Sequence, residues 1–309
     1  MRFLITGGAG FIGSHLTEKL LLEGHEVIVV DNLSTGSLNN LPNHPNFKFI
    51  NKNILHCQPK DFPEPLDGIA HLAATASVST SWLNPLEAHE NNLSATVWVI
   101  ELCQKLNISR LVYTSSAAVY GDQARLPIVE TQHTRPIAPY GWQKLFSEQY
   151  ACLFSQRVGF SFIGLRLFNV FGPRQLPDSS YSGVISIFVN AMNQNQPITI
   201  YGNGEQTRDF IYVQDVAIAL QSALLTPLNS GSYSICNIGT AQTTSLIQLV
   251  NIVNNCFPQW SGSIKFESAR TGDIIESQAD ITKASTLLGF FPQWSIQSGI
   301  KKLVQSLRH

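Results

Sequence analysis

The chain has 309 residues, enough for one large domain or two smaller ones sharing a cleft, and enough to bury a substantial core. Only 13% of residues are charged and the formal net charge is −1, so neither nucleic acid nor an anionic membrane is an expected partner and any anion must be bound locally. No apolar run reaches membrane-spanning length, and the five cysteines are scattered, odd in number and free of C-x-x-C spacing, which fits reduced thiols, no metal site, no signal peptide before the first strand and a cytoplasmic location.

The apolar run Phe3-Leu4-Ile5 leads into Thr6-Gly7-Gly8-Ala9-Gly10-Phe11-Ile12-Gly13, after which Ile12, Leu16, Leu20 and Leu21 recur at helical spacing until Gly24. The glycines read two ways, as Gly8, Gly10 and Gly13 in G-x-G-x-x-G, or as Gly7, Gly10 and Gly13 three residues apart. Both place a diphosphate at the turn, where backbone can approach phosphate oxygens and the following helix aims free N–H groups at them. Glu26 to Val30 then reads as a buried strand ending at Asp31, whose carboxylate can accept hydrogen bonds from an adenosine ribose. No Lys or Arg lies between Asp31 and Lys48 to meet a 2′-phosphate, so NAD is expected rather than NADP.

Residues 33–47 read as a polar connection with one short helix, in which Ser34, Thr35 and Gly36 close over the adenosine. Phe47 to Ile50 resembles a strand, and Asn53-Ile54 beyond it either flanks the adenine or merely ends the strand. Asp67 to Ala74 is another buried strand running into small residues, where backbone can approach a cofactor; His71 sits within it, as a core residue more readily than as an acid or base. Asn92 to Leu106 carries Leu93, Val97, Ile100 and Leu106 on a helical stripe, either core or subunit interface. Arg110 to Ser116 is a strand ending in hydroxyls, Pro139 opens a helix, and Ser161 to Leu167 is a further strand followed by Phe168 to Arg174.

This alternation predicts an α/β fold, a doubly wound (Rossmann) parallel sheet, with residues 1–171 as the NAD-binding domain. Residues 172–309 change rhythm: a loop over 175–183, a helix near Val184 to Asn193, short strands and two later helices. They are expected to form a smaller substrate-binding lobe across the carboxyl edge of the sheet, with some segments returning to the first domain.

Tyr140 and Lys144 are four residues apart at a helix start and therefore share a face. A lysine ammonium beside a phenol favours the phenolate, and such a tyrosine can act as a general base toward an alcohol. Ser116, ending a strand, is placed to assist.

The glycine turn, Asp31-Asn32-Leu33-Ser34-Thr35-Gly36, His71-Leu72-Ala73-Ala74, Ser115-Ser116-Ala117-Ala118-Val119-Tyr120-Gly121, Tyr140 with Lys144, and Gln206-Thr207-Arg208-Asp209-Phe210 together resemble the extended short-chain dehydrogenase/reductase family over essentially the whole chain, and within it the NAD-dependent nucleotide-sugar epimerases and dehydratases. The nearest likeness is to the UDP-glucose and UDP-N-acetylglucosamine 4-epimerases. The resemblance implies Tyr140 as base, Ser116 as partner of the sugar 4-hydroxyl, and Lys144 as contact to the nicotinamide ribose. It adds Phe11, Ile12, Asn32, Ile54, Leu72, Asn92, Ser115 and Phe168 to the cofactor contacts. It assigns Ser77, Asn169, Val184, Tyr201, Arg208, Arg270, Asp273 and Ser277 to a UDP-sugar, the arginines suiting a diphosphate through their planar forks. It also implies a homodimer through the helices containing Asn92 to Leu106 and Tyr140 to Phe154.

Ala117 and Ala118 stand where related dehydratases carry an Asp-Glu pair and decarboxylases a Glu at the second position, which leaves 4-epimerisation as the expected reaction. Ser277 aligns with a gate that is a bulky tyrosine in some epimerases, so an acetamido sugar is expected to fit unless Ser277 faces elsewhere. Asn53, in place of Asp, and Leu167, in place of Tyr, depart from the family pattern. Alternatives are another nucleotide-sugar enzyme (a dehydratase, decarboxylase, dehydrogenase or uronic acid 4-epimerase) or a non-catalytic NAD(P)-binding regulator.

Overall fold

The computed structural model describes residues 1–63, 65–176, 183–269 and 274–307. The first half alternates strand and helix: β1 (Arg2–Thr6), α1 (Phe11–Leu22), β2 (Glu26–Asp31), β3 (Phe47–Asn51), β4 (Gly68–His71), the short α2 (Val78–Leu83) and α3 (Pro85–His89), α4 (Ala95–Lys105), β5 (Arg110–Ser116), α5 (Pro139–Val158) and β6 (Ser161–Leu167). The second half adds β7 (Asn169–Phe171), α6 (Val184–Asn193), β8 (Ile198–Tyr201), β9 (Thr207–Arg208), β10 (Phe210–Tyr212), α7 (Val213–Leu225), β11 (Tyr233–Ile238), β12 (Thr244–Ser245), α8 (Leu246–Asn254), β13 (Ile264–Glu267), α9 (Thr282–Leu288) and α10 (Ile296–Ser306).

Seven strands pair in parallel in the order β3-β2-β1-β4-β5-β6-β11, the doubly wound sheet that the alternation predicts. A parallel sheet must be covered on both faces, and β1 shows how its period of two does this. Phe3 and Ile5 pack with Leu16 and Leu20 of α1 and Val216 and Leu220 of α7, while Leu4 packs with Val99, Leu102 and Cys103 of α4. A third core joins α6, α8 and α10 to the short strands through Phe188, Ile200, Tyr212, Leu249 and Ile300. Strand order reverses beside β1, and the crevice this opens at the carboxyl ends of the strands is where such sheets bind ligands.

The number of later helices needs correction, whereas segments of the second half do return to the sheet. Four helices, not two, follow Asn193 among the described residues, and α7, with Val216, Ala217, Leu220 and Leu224 on its buried side, packs on α1. β11 joins the sheet beside β6, in register from Tyr233 opposite Phe162 to Ile238 opposite Leu167. The stripe expected from Asn92 holds at its far end, where Ile100 and Leu106 are buried in the core, but is rotated at its start, where Glu90–Ser94 forms a π-helical turn before α4. Leu93 and Val97 are therefore only partly buried, and Asn92, Val99, Leu102 and Cys103 face inward.

The start of α1 lies against the preceding turn because Gly13 has no side chain; a Cβ there would lie 2.2 Å from the Gly7 carbonyl oxygen. Gly13→Ala is expected to lower the stability of the fold by about 1–3 kcal/mol through overpacking, read by thermal or urea unfolding.

Candidate active site

A cleft of about 340 Å³ opens at the carboxyl ends of β1, β2, β4 and β5. A larger hollow of about 590 Å³, lined by Cys103, Asn107, Arg157 and Phe160, lies elsewhere and includes none of the candidate site residues.

Gly7 has φ 72°, a conformation that favours glycine, and a Cβ on it would lie 2.7 Å from the Ala73 nitrogen. Gly8 points away, toward the Val29 side chain. Gly7, Gly10 and Gly13 border the cleft, so the three-residue spacing is the register that faces the ligand. Gly10 caps α1 without a side-chain hydrogen bond, and the N–H groups of Phe11, Ile12 and Gly13 stay available to an anion at the positive end of the helix.

Arg174 also borders the cleft, a residue that sequence reasoning missed. Held at φ 70°, it bonds Glu18 of α1 through Nη2 at 2.5 Å, while its Nη1 is buried without a partner. An unsatisfied buried guanidinium N–H is costly, and a phosphate oxygen would satisfy it. The cradle therefore fits a dinucleotide diphosphate.

Asp31 is nearly buried at the end of β2, its Oδ2 accepting from Ala9 N at 3.0 Å and its Oδ1 from Leu33 N at 2.8 Å. Each oxygen keeps a lone pair for a ribose hydroxyl. Asn32, Ser34, Thr35, Asn53 and Ile54 line the same end. Gly36 does not; it packs behind the carboxylate, where a Cβ would come within 3.0 Å of Asp31 Oδ1. Asn53 uses its Oδ1 to cap a single 3-10 turn at Leu55 N. Lys52, unforeseen in the lining, is tied to Asp61 at 2.8 Å, so among the described lining residues at the adenosine end none is an unpaired cation for a 2′-phosphate.

Leu72, Ala73 and Ala74 form the floor, and the Leu72 and Ala73 amides donate to Thr6 Oγ1 at 3.2 and 3.1 Å. The Thr6 hydroxyl is left to donate to His71 Nδ1 at 2.7 Å, which makes Nε2 the donor to Thr96 Oγ1 at 3.2 Å. Burial depresses His71 to about 3, so it is a neutral structural residue. Asn92 is withdrawn from the cleft: it accepts from Thr75 N and donates to Gln143 Oε1 at 2.6 Å. The π turn brings its neighbour Asn91 to the lining instead, with Thr75. No residue pattern in the sequence marks that extra turn.

Ser116, Tyr140 and Lys144 meet at the inner end of the cleft. Gly141 makes this possible, since a Cβ there would sit 2.6 Å from the Ala118 carbonyl, and the Tyr140 amide is capped by Ser81 Oγ at 3.1 Å. Lys144 is buried, donates to the Thr114 carbonyl at 2.8 Å and lies 5.8 Å from the Tyr140 ring centre. Desolvation lowers Lys144 to about 7. Tyr140 departs from expectation: burial raises its pKa and the Ser116 hydroxyl partly offsets this, with no lowering by Lys144. Desolvation is the largest cause of that shift. Ser115 borders the cleft too, but its hydroxyl turns inward to Glu148.

Of the described residues expected to hold the sugar nucleotide, only Ser116 borders this cleft. Ser77 caps α2 through Thr80 N, Asn169 is exposed at the start of β7, Val184 begins α6, and Tyr201 ends β8. Arg208 and Ser277 are brought near one another, for β9 bridges Glu276 and Arg208 Nη1 lies 3.5 Å from the Ile275 carbonyl. Arg270 and Asp273 lie outside the described residues. Phe168 and Leu167 line the cleft.

Residues 3–239 match the NAD dependent epimerase/dehydratase family. A protein of Methanocaldococcus jannaschii provisionally named a UDP-glucose 4-epimerase is 37% identical, the alignment covering 99% of this chain and 98% of that one. UDP-glucuronic acid decarboxylase 1 of Xenopus tropicalis is 35% identical over 99% of this chain and 72% of its own. The structure of UDP-N-acetylglucosamine 4-epimerase from Methanobrevibacter ruminantium, in complex with UDP-N-acetylmuramic acid, superposes with a TM-score of 0.94 at 33% identity, covering 99% and 98% of the two chains. The chain belongs to the NAD dependent epimerase/dehydratase family. It is an NAD-using enzyme of the extended short-chain dehydrogenase/reductase class, akin to the UDP-sugar 4-epimerases.

His71 titrates at 6.5 when unperturbed and at about 3 in the fold, so the stability it confers is complete above the first value and lost as pH falls through the second. His71→Gln is expected to flatten the fall in melting temperature across that acid window, as measured by circular dichroism melts from pH 7 downward.

Proposed function

We propose that the protein is a UDP-sugar 4-epimerase interconverting gluco and galacto configurations. The observation that carries this reading is the meeting of Ser116, Tyr140 and Lys144 at a cleft whose described lining holds one carboxylate, Asp31, at the adenosine end. Elimination of water or loss of a carboxyl group would use an acid or base beside Ser116, and the turn there offers only Ala117 and Ala118.

Tyr140 takes the proton of the sugar 4-hydroxyl, and the Ser116 hydroxyl holds that oxygen in line. Held by the turn before α1 and by Asp31, bound NAD would supply the hydride acceptor for the sugar carbon and the source from which hydrogen is restored to its opposite face. Tyr140 then gives the proton back to the same oxygen. Lys144 lies beneath the phenol, its Nζ 5.8 Å from the ring centre. Arg174 and the first amides of α1 bind the cofactor diphosphate, and Asp31 the ribose. Arg208, Asn169, Tyr201 and Ser77 are assigned to the UDP-sugar, with Arg270 and Asp273. The small Ser277 leaves room for a 2-acetamido group, so UDP-N-acetylglucosamine is a substrate beside UDP-glucose.

The exposed side of α5 carries Trp142, Phe146, Tyr150 and Leu153 at helical spacing, with Trp142 and Phe146 rings 5.5 Å apart. A second copy covering this face makes a homodimer. The paired substitutions Phe146→Arg and Leu153→Arg should yield a monomer by light scattering.

NMR of the purified protein with UDP-glucose and, separately, UDP-N-acetylglucosamine, without added cofactor, is expected to show galacto-configured product. Tyr140→Phe should cut turnover by about 10²–10⁴-fold while NAD stays bound. Unchanged behaviour of that variant would mark a regulator, and absence of product from both sugars would overturn the epimerase reading.

A further inference from the structure

Tyr140, Lys144 and Glu148 recur every fourth residue of α5 and so share its inner face. Glu148 has a fully buried side chain, yet it is ionically paired: Arg166 of β6 donates to its Oε2 at 2.7 Å through Nη2 and to its Oε1 at 3.0 Å through Nε. The Ser115 hydroxyl donates to the same Oε1. Arg166 in turn lies over the Tyr120 ring at 4.8 Å, and Tyr120 donates to Asn237 Oδ1 at 2.6 Å.

A buried ion pair is a poor way to stabilise a fold, since desolvation of two charges offsets most of their attraction. Well-packed apolar residues would serve a core as well. The position of this pair suggests another use. Ser115 precedes Ser116, and Lys144 is one helical turn from Glu148.

We propose that Glu148 is a positioning residue for the reaction: locked by Arg166 and Ser115, its carboxylate supplies the negative charge that keeps Lys144 an ammonium in a site stripped of water. The inference deepens the epimerase reading and rests on it. The groups facing Lys144 are His71 of β4, Tyr113 and Thr114 of β5, and Tyr140 and Glu148 of α5, with Arg166 behind Glu148. His71 is neutral, the Tyr113 phenol is held protonated by burial, and Thr114 offers only a carbonyl, so Glu148, in its ion pair with Arg166, is the one carboxylate among them. It opposes the desolvation that lowers Lys144 to about 7.

If Lys144 works as a cation, activity falls as pH rises through its pKa, and removing the Glu148 charge moves that fall to lower pH. The test titrates Lys144 by NMR of ε-¹³C-lysine protein, assigned with Lys144→Met, alongside pH-rate profiles. Glu148→Gln should lower the Lys144 titration by about one pH unit or more and move the basic limb with it. Glu148→Asp should recover much of the shift. Because an orphaned Arg166 can unfold the single variant, Glu148→Gln with Arg166→Gln removes both charges and should show the same direction. A Lys144 titration equal to wild type in a folded charge-free variant would overturn the proposal. The titration needs no substrate, so a failed choice of sugar would silence the rate profile and leave the NMR result standing.

Discussion

A lysine buried beneath a tyrosine is the constraint on which the rest of the site depends. Lys144 loses its water on the inner face of α5, and an ammonium without water must find substitutes in fixed places. The Thr114 carbonyl and the Tyr113 ring, 4.7 Å from Nζ, are two of them, and both belong to β5. They serve only if α5 lies close to that strand. Gly141 permits the approach over the Ala118 carbonyl, and Ser81 holds the first turn by the Tyr140 amide. A network of this kind has little tolerance for partial formation, because each missing partner leaves a polar group in low dielectric.

At the other end of the cleft the charge problem is met by backbone. The turn after β1 presents amides, and the start of α1 presents the positive end of a dipole. Among the described residues at the diphosphate turn, Arg174 adds the full positive charge, and Glu18 fixes it from α1. Such an arrangement needs no basic surface, which is how a chain with a formal net charge of −1 can hold a diphosphate.

The parts of this design that were legible in the sequence are those whose cause is local. Glycine spacing, the acid ending β2, and a tyrosine and lysine one turn apart are properties of a few neighbouring residues. Arg174 was not legible because its geometry depends on Glu18, far away in the chain. Asn91 replaced Asn92 in the cleft because a π turn inserts a residue, and no apolar pattern records it. The direction of the Tyr140 shift was misread for the same reason: the attraction of Lys144 is a sequence neighbourhood, whereas burial is a property of the whole fold. Arg208 and Ser277, distant in sequence, come together only when β9 pairs beside Glu276.

The chemistry is bounded by what stands beside Ser116. With alanine at 117 and 118, the proposed reaction leaves Tyr140 as its proton-transferring group among the described residues beside Ser116, and a reaction run by one such group must return to oxygen the proton it removed. Inversion at a single carbon meets that condition, since the oxygen keeps its place while hydrogen changes face. Elimination does not, because the proton lost and the proton gained belong to different atoms. A raised phenol pKa is compatible with this economy. A tyrosine protonated at rest becomes a base only when charge gathers around it, and the proposed role of the buried Glu148–Arg166 pair, one turn from Lys144 and two from Tyr140, is to control that charge.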